Sequence, residues 1–577
     1  MSNSTAENTG AVASPASEGH PRGLYLLFFI EMWERFSYYG MRAIFVLFMI
    51  KALFIDNASA SNIYGTYTGL VYLTPLLGGY ISDRFWGNRR SVLAGGLLMA
   101  VGQFLMFLSA SMITDAVQST LAVTLMCVGL TVLIVGNGFF KPDISTMVGQ
   151  LYPKGDHRID NAFTIFYMGI NLGAFFAPLV CGGLGETESI HDFRWGFLAA
   201  CIGMLISVIS LQILKNKHLR TFDGVPIGMP KARMDLKTIL GIASVFGVVY
   251  FLLTFKSKFD IAWWLIIVAA LTIPTIIFLD KSLVKDEKER ISVIIILSFF
   301  VIFFWACFEQ AGASLTIFAK NQVDRSISIH IPGYIILATA LVVGALLVKA
   351  FSWFFKWKKS VHIILQLIVA GVLIGLFFMG KMPDYTKTEF PASWFQAINP
   401  LGIVLLAPVF TLFWNFLNRR KLEPSSPMKM AFGLVLLALG YVVIAYGVHG
   451  VDAQTKVGMW SLNVLYILHT LGELSLSPIG LSMVSKLSPA RFGSLLMGVW
   501  FLANAVASKL AGKLSALIPP GAGEKPLDAL EKIPSLFGIE ISNLFVFFCI
   551  FIVFSGVAAI VLFSMCRWLQ KRMHGVK

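Results

Sequence analysis

The chain has 577 residues, 57% of them hydrophobic and only 13% charged, about half the charged share of a water-soluble domain. Apolar surface on this scale, gathered in long runs, excludes a string of soluble domains and points to helices that cross a bilayer, since ~20 apolar residues span a ~30 Å hydrocarbon core and backbone groups in lipid must be satisfied within their own segment. The formal charge of +15, from 46 basic and 31 acidic residues, does not indicate a nucleic-acid partner, because the basic residues sit in short loops between apolar runs, where they set orientation in a membrane.

Residues 1–23, rich in Ser, Ala, Gly and Asn, read as a disordered tail. Sixteen apolar runs follow, at 24–52, 62–82, 90–113, 119–141, 160–184, 194–214, 236–256, 261–280, 290–319, 331–356, 361–381, 393–417, 427–449, 457–485, 490–516 and 540–568. Alternate loops are rich in Lys and Arg. They include Arg84, Arg89 and Arg90; Lys215, Lys217, Arg220, Lys231, Arg233 and Lys237; Lys281, Lys285, Lys288 and Arg290; Lys356, Lys358 and Lys359; and Arg419, Arg420 and Lys421. The intervening loops 53–61 and 114–118 carry none. This pattern places the rich loops and both termini in the cytoplasm. Removing the pairs 236–280 and 331–381 leaves six runs plus six. That is the plan of an all-α polytopic protein of the major facilitator type with inserted helical hairpins, 14–16 spans in all. The expected division is an N-terminal half at 24–214, a linker with hairpin at 215–289, and a C-terminal half at 290–577 with the extra hairpin at 331–381. The six cysteines show no metal or disulfide spacing and read as small packing residues.

Charges inside apolar runs mark function, because each costs at least ~2.5–3.5 kcal/mol in lipid unless it faces a cavity or a partner. The first run contains Glu31, Glu34, Arg35, Tyr38, Tyr39 and Arg42, which share a helical arc of about 140°. Two Glu and two Arg on one stripe exceed what packing requires, although a salt-bridge cluster between helices is the plainer reading. The ninth run holds Trp305 and Glu309, the fourth ends at Lys141, and the fourteenth holds His469 and Glu473. Plainer readings exist here too: an interhelical hydrogen bond for Glu309, snorkelling for Lys141, and polar packing for His469. Arg42 and Glu309 both lie about 27–29 Å along outward-running helices, so they are expected to pair on the outer side of a cavity. Lys141 and Glu473, on inward-running helices, are expected to pair on the inner side. Protonating a paired carboxylate would release its partner and so couple protons to conformation.

These residues also form a family signature. Glu31–Gly40 resembles the E-x-x-E-R-F-x-Y-Y-G motif of the proton-dependent oligopeptide transporter family of the major facilitator superfamily, and Phe166–Gly173 resembles its F-Y-x-x-I-N-x-G motif. Phe308-Glu309-Gln310, Gly472–Pro478 and Met497–Phe501 resemble later motifs in the same order. The resemblance implies a symporter that imports di- and tripeptides by alternating access and is not an enzyme. The alternative is a nitrate or other small-anion carrier of the same superfamily, against which the intact E-x-x-E-R stripe argues. By resemblance, Glu31, Glu34, Arg35 and Glu309 serve proton coupling. Arg42 with Glu309 and Lys141 with Glu473 are gating pairs. Tyr38, Tyr39, Tyr72, Asn171, Trp305, Asn399, Trp500 and Asn504 line the peptide site. There Arg42 and Lys141 face the peptide carboxylate and Glu473 the amino terminus. The resemblance further implies no cofactor beyond the coupling proton, no metal, no nucleic acid, and a monomer in the cell (inner) membrane with short peptides and the lipid bilayer as its partners. Three features depart from the pattern. Asp143 follows Lys141-Pro142 where Asn is usual, which places a second carboxylate close to Lys141. The loop motif Gly79-x-x-x-Asp83-Arg84-x-x-Gly87-x-Arg89-Arg90 is one residue longer than usual, and the hairpin at 331–381 is uncommon.

Overall fold

The computed structural model describes residues 19–575 apart from 116, 154–155, 157, 231, 233, 256–259, 356–357, 381–383, 452–454, 490 and 520–532. Most of the expected tail, and Lys231, Arg233 and Lys356 of the charge count, lie outside the described residues. Each of the sixteen apolar runs is a helix. The N-terminal six are α1 (Arg22–Lys51), α2 (Asn57–Leu73, continued by Pro75–Ile81), α3 (Gly87–Ser111), α4 (Thr120–Gln150), α5 (Ile159–Ala177, extended to Gly185) and α6 (Phe193–His218). The first inserted hairpin is α7 (Leu236–Thr254) and α8 (Ile261–Phe278). Then come α9 (Lys285–Phe308, resumed at Ser314–Asn321), the second hairpin α10 (Gly333–Phe355) and α11 (Lys359–Phe378), and α12 (Ile398–Arg419, preceded by a 3-10 turn, Ala392–Ala397). The last four are α13 (Ser426–Val448), α14 (Met459–Leu487), α15 (Gly493–Ser515) and α16 (Leu544–Arg572).

By length and composition, twelve helical stretches among the described residues are fit to cross a membrane. One of them, Asn57–Ser111, has 55 residues. Straight, it would reach about 80 Å, far more than one bilayer, and it is broken at Gly87, whose φ is +67°. A π-turn at Ser82–Trp86 precedes that break. A π-turn holds one residue more than an α-turn, which accommodates the extra residue of the loop motif. The helix α1 is absent from the twelve because its charges lower its hydropathy. It is nonetheless 30 residues long and buried along most of its length.

Several boundaries differ from the apolar runs. The helix α9 begins at Lys285 rather than 290, because Asp286 and Glu287 in its first turn suit the positive end of the helix dipole. It is interrupted by a 3-10 turn at Glu309–Gly312, which hydropathy does not register. Short strands also appear. β1 (Ser326–Ile331) pairs antiparallel with β2 (Tyr385–Glu389) at the base of the second hairpin, where the Gly333 N–H donates to Asp384 at 2.8 Å. The six cysteines are free, and all but Cys549 are buried.

The two halves meet mainly towards the face opposite the one where α1 begins and α16 ends. There α2 packs on α15 with no side chains between them at Gly65 and Gly512: a Cβ on Gly65 would lie 2.8 Å from the Gly512 Cα. On the same face Trp394 Nε1 donates to the Leu179 carbonyl at 3.1 Å, and Ser61 bonds Ser515 at 2.9 Å. The hairpin α7–α8 straddles this seam, α7 packing on α4 and α2 and α8 on α15.

Candidate functional site

The E-x-x-E-R motif makes a compact charge cluster on α1. Arg35 Nε pairs with Glu34 at 2.5 Å and with Glu31 at 3.2 Å, all three side chains being buried. Glu34 also accepts from Asn137 Nδ2 at 3.4 Å. The second Glu31 oxygen, Oε2, is buried with no hydrogen-bond partner among the described residues. One guanidinium thus serves two carboxylates, and burial leaves Glu31 the less satisfied of the two.

One helical turn past Tyr38 and Tyr39, Arg42 Nη2 meets Glu309 at 2.6 Å, both buried. Its Nε donates to the Tyr64 hydroxyl at 2.7 Å. The 3-10 interruption of α9 makes this contact possible. Gly312 ends it, and a Cβ there would lie 2.0 Å from the Tyr64 oxygen and 2.9 Å from Arg42 Nε. Arg42 joins the N-terminal half to the C-terminal half here, as their matching depths predicted.

Lys141 and Glu473 are not paired in this structure, contrary to expectation. Lys141 Nζ lies 4.0 Å from the centre of the Tyr72 ring, within electrostatic reach of Arg35, Glu34 and Glu31. Glu473 instead accepts from Asn399 Nδ2 at 2.8 Å. Depth along a helix sets level but not lateral position, and on this side of the cavity α4 and α14 stand apart. Asp143 does not approach Lys141 either. It faces the loop motif, accepting from Asn88 Nδ2 at 2.7 Å, because successive helical residues point about 100° apart and Lys141 and Asp143 therefore lie on different faces of α4.

A cavity of about 230 Å³ lies between the halves. Of the expected lining, Tyr39, Arg42, Tyr72, Asn171, Trp305, Asn399 and Glu473 border it, and so does Glu309, expected as a gating and proton-coupling residue. Tyr38, Lys141, Trp500 and Asn504 are not among its lining residues. Tyr38 turns inward against Tyr67, ring centres 6.4 Å apart. Trp500 is buried against Gly480, where a Cβ would sit 2.2 Å from its ring, so it fills the α14–α15 gap. Sequence reasoning missed Tyr167, Phe308, Gln396 and Tyr466, which also line the cavity. Tyr167 and Phe308 stood inside quoted motifs, and the F-Y-x-x-I-N-x-G spacing holds the signal. Tyr167 and Asn171, four residues apart, face the cavity, while a Cβ on Gly173 would lie 2.1 Å from the Met32 carbonyl, so this glycine seats α5 on α1. His469, read as a packing residue, is buried between the rings of Phe308 and Tyr441 and also borders the cavity.

With this geometry the comparisons are decisive. The model of the POT family matches residues 89–355 and 375–525. The chain belongs to the POT family. An uncharacterized transporter of Bacillus subtilis (strain 168) is 32% identical, over 86% of this chain and 88% of that protein. A peptide transporter of Yersinia enterocolitica is 31% identical, covering 90% and 91%. A Lactococcus lactis di-/tripeptide transporter is 29% identical, covering 86% and 90%. Among solved structures, a POT family transporter in complex with a thioalcohol-conjugated peptide superposes with TM-score 0.71 at 29% identity, covering 96% of this chain and 97% of that one. A POT family transporter in complex with 5-aminolevulinic acid gives 0.72 at 28% identity, covering 96% and 98%. The architecture of this chain is therefore that of a multi-pass membrane transporter with the major facilitator plan.

Proposed function

We propose that this POT family member is a proton-coupled symporter that imports di- and tripeptides by alternating access. The observation that carries the reading is the placement of the Arg42–Glu309 pair in the lining of a cavity that also holds Glu473 and four tyrosines, Tyr39, Tyr72, Tyr167 and Tyr466. A peptide zwitterion needs a cation for its carboxylate and an anion for its ammonium, with aromatic surface for variable side chains. A cavity of about 230 Å³, below the ~300–1,000 Å³ of drug-sized sites, has no room for a long peptide.

In this mechanism the peptide carboxylate competes with Glu309 for Arg42, so binding loosens the contact that holds the opposite face shut. The ammonium is held by Glu473, which Asn399 orients. A proton entering the α1 cluster goes to Glu31, whose Oε2 has no partner among the described residues, while Glu34 stays with Arg35 and Asn137. Lys141 senses that change through space. The charge bias of the basic loops supports both termini on the cytoplasmic side of an inner membrane, and on that orientation the present state is the inward-facing one. Both halves contribute lining to one cavity, so a single chain suffices for transport. The relatives named for a substrate are peptide transporters, which favours the peptide reading over the small-anion alternative.

The test is uptake of labelled dialanine into proteoliposomes with and without an inward proton gradient, beside counterflow in the same preparation. Concentrative uptake is expected only with the gradient, and Glu31→Gln is expected to abolish it while counterflow persists. Equal uptake after an uncoupler collapses the gradient would refute proton coupling. Absence of dialanine counterflow would refute the substrate class.

A further inference from the structure

Beyond Arg42–Glu309, a second carboxylate crosses between the halves on the same face, outside the cavity and outside every motif. Glu186 lies at the end of α5, and its side chain is only 2% exposed. Its Oε1 accepts from the Ala392 N–H at 2.9 Å, and its Oε2 accepts from the Ser393 N–H and the Ser393 hydroxyl, each at 2.9 Å. Lys320 Nζ stands 3.4 Å from Oε1 and Arg325 Nη1 3.9 Å from it. All of these partners belong to the C-terminal half, whereas Glu186 belongs to the N-terminal half. The surfaces around it touch closely: a Cβ on Gly182 would sit 2.0 Å from the Ser393 hydroxyl, and Gln396 Nε2 donates to the Ala43 carbonyl at 3.4 Å.

We infer that Glu186 is a latch of the transport cycle, a positioning residue that holds the opposite face closed independently of the substrate-facing pair. A carboxylate with three hydrogen bonds and two cations is well compensated for burial, and every one of those contacts must break when the halves separate on this face. Cations surround it: Lys51 of α1 lies within electrostatic reach of Lys320, Arg325 and Glu186. Without Glu186, Lys51 of the N-terminal half faces Lys320 of the C-terminal half across the seam, while Arg325 keeps Glu389 at 3.0 Å, so the loss removes attraction and leaves the two lysines in repulsion. Glu186 does not border the cavity, so its effect on the peptide is exerted only through the population of states. The inference relies on alternating access but on neither the substrate nor the coupling ion.

The experiment uses the full chain in lipid nanodiscs without peptide. Spin labels at Glu188→Cys and Lys456→Cys report the opposite face, and labels at Asp160→Cys and Ser485→Cys report the terminal face. Glu186→Ala is expected to raise the open-to-closed ratio at the opposite face about tenfold, the scale of losing a charged hydrogen-bond cluster, and to shorten the terminal-face distances in step. Lys320→Ala added to Glu186→Ala should return part of the closed population by relieving repulsion. If Glu186→Ala fails to fold, Glu186→Gln, which keeps the shape, should show a smaller shift of the same sign. Unchanged distances in the folded variant, or broadening at both faces together, would overturn the latch. Dialanine counterflow of the wild type is judged separately, so failure of the latch and failure of peptide transport are distinguishable.

Discussion

The two faces of the molecule are closed by very different amounts of structure. On the opposite face the halves share a buried ion pair, Arg42–Glu309, a side-chain-free crossing at Gly65 and Gly512, and the Glu186 cluster. On the terminal face the corresponding charges, Lys141 and Glu473, each find a partner in their own half: Lys141 the Tyr72 ring and Glu473 the Asn399 amide. Tyr167, 42% exposed, borders the cavity near the terminal end of α5. A gate in this fold is a seam of backbone approach with a charge at its centre. Where the backbones stand apart, charges of opposite sign at the same level do not pair.

The largest effect should come from wedging the seam itself. Gly512→Leu places a branched side chain where a Cβ alone would come within 2.5 Å of the Ser61 carbonyl. Overpacking costs ~1–3 kcal/mol or more, and here the cost falls on the state closed at this face. Uptake should fall at least about tenfold, and labels across the opposite face should lengthen. A transport-competent Gly512→Leu chain with unchanged distances would break the comparison.

Next is Glu309→Gln. It takes the negative charge from the buried Arg42, but the Gln oxygen can still accept from Nη2 and Tyr64 still accepts from Nε, so the loss falls below the ~3–5 kcal/mol of a buried charge left with no partner. The population should move towards opening at the opposite face, read by the same label pairs.

Glu473→Gln should act differently, and this sharpens the contrast. It removes no ion pair in the present state, so the opposite face should stay closed. Dialanine binding should weaken by ~1.5–3 kcal/mol, the worth of a charged hydrogen bond, as isothermal titration would measure. If Glu473 pairs with Lys141 when the terminal face closes, the variant should also favour the present state. Opening at the opposite face in both Gln variants would contradict a two-gate arrangement.

The smallest effect concerns the brace formed by α7–α8. Asp260 pairs with Lys509 at 3.0 Å and Lys513 at 2.9 Å, and Lys509 also donates to Thr66 on α2 at 2.7 Å. Burial pushes the Asp260 carboxyl up, but Lys509, the Trp263 N–H and Lys513 outweigh it and hold it below the ordinary carboxylate range. With its folded value lowered, its contribution is fully present above the unfolded carboxylate value of about 4 and is lost as pH falls through the lowered value. Asp260→Asn should therefore lower the thermal midpoint equally at pH 6 and 8, by the equivalent of ~0.5–1.5 kcal/mol, since the Asn oxygen can still accept and the buried Lys509 keeps Thr66. A wild-type advantage that changed between those pH values would show that another group carries it.

Much of this was legible in the chain because a bilayer constrains it so strongly. Apolar run length marked all sixteen helices, and charge cost singled out Glu31, Glu34, Arg35, Arg42, Lys141, Glu309 and Glu473. The Arg42–Glu309 contact was also legible, since two residues at one depth on neighbouring helices needed only a small lateral approach. Lys141–Glu473 satisfied the same depth test and is unpaired, because lateral distance depends on how the two halves tilt. Tyr38 and Trp500 shared motifs with cavity residues yet face helix neighbours, a rotation of the side chain that helical spacing alone resolves to no better than an arc. Glu186 went unnoticed because it follows Gly182-Gly183-Leu184-Gly185 at the end of an apolar run, where a carboxylate reads as a solvated loop charge.

A polytopic helical membrane protein of six plus six spans with two inserted hairpins, and the charges it must accommodate, could be read from the chain alone, since each follows from the cost of exposing polar groups to lipid. Only the tertiary structure decided which charges meet, which side chains border the cavity, and which face is closed. Those depend on the relative position of two packed halves, and helices of the same apolar composition permit more than one such position.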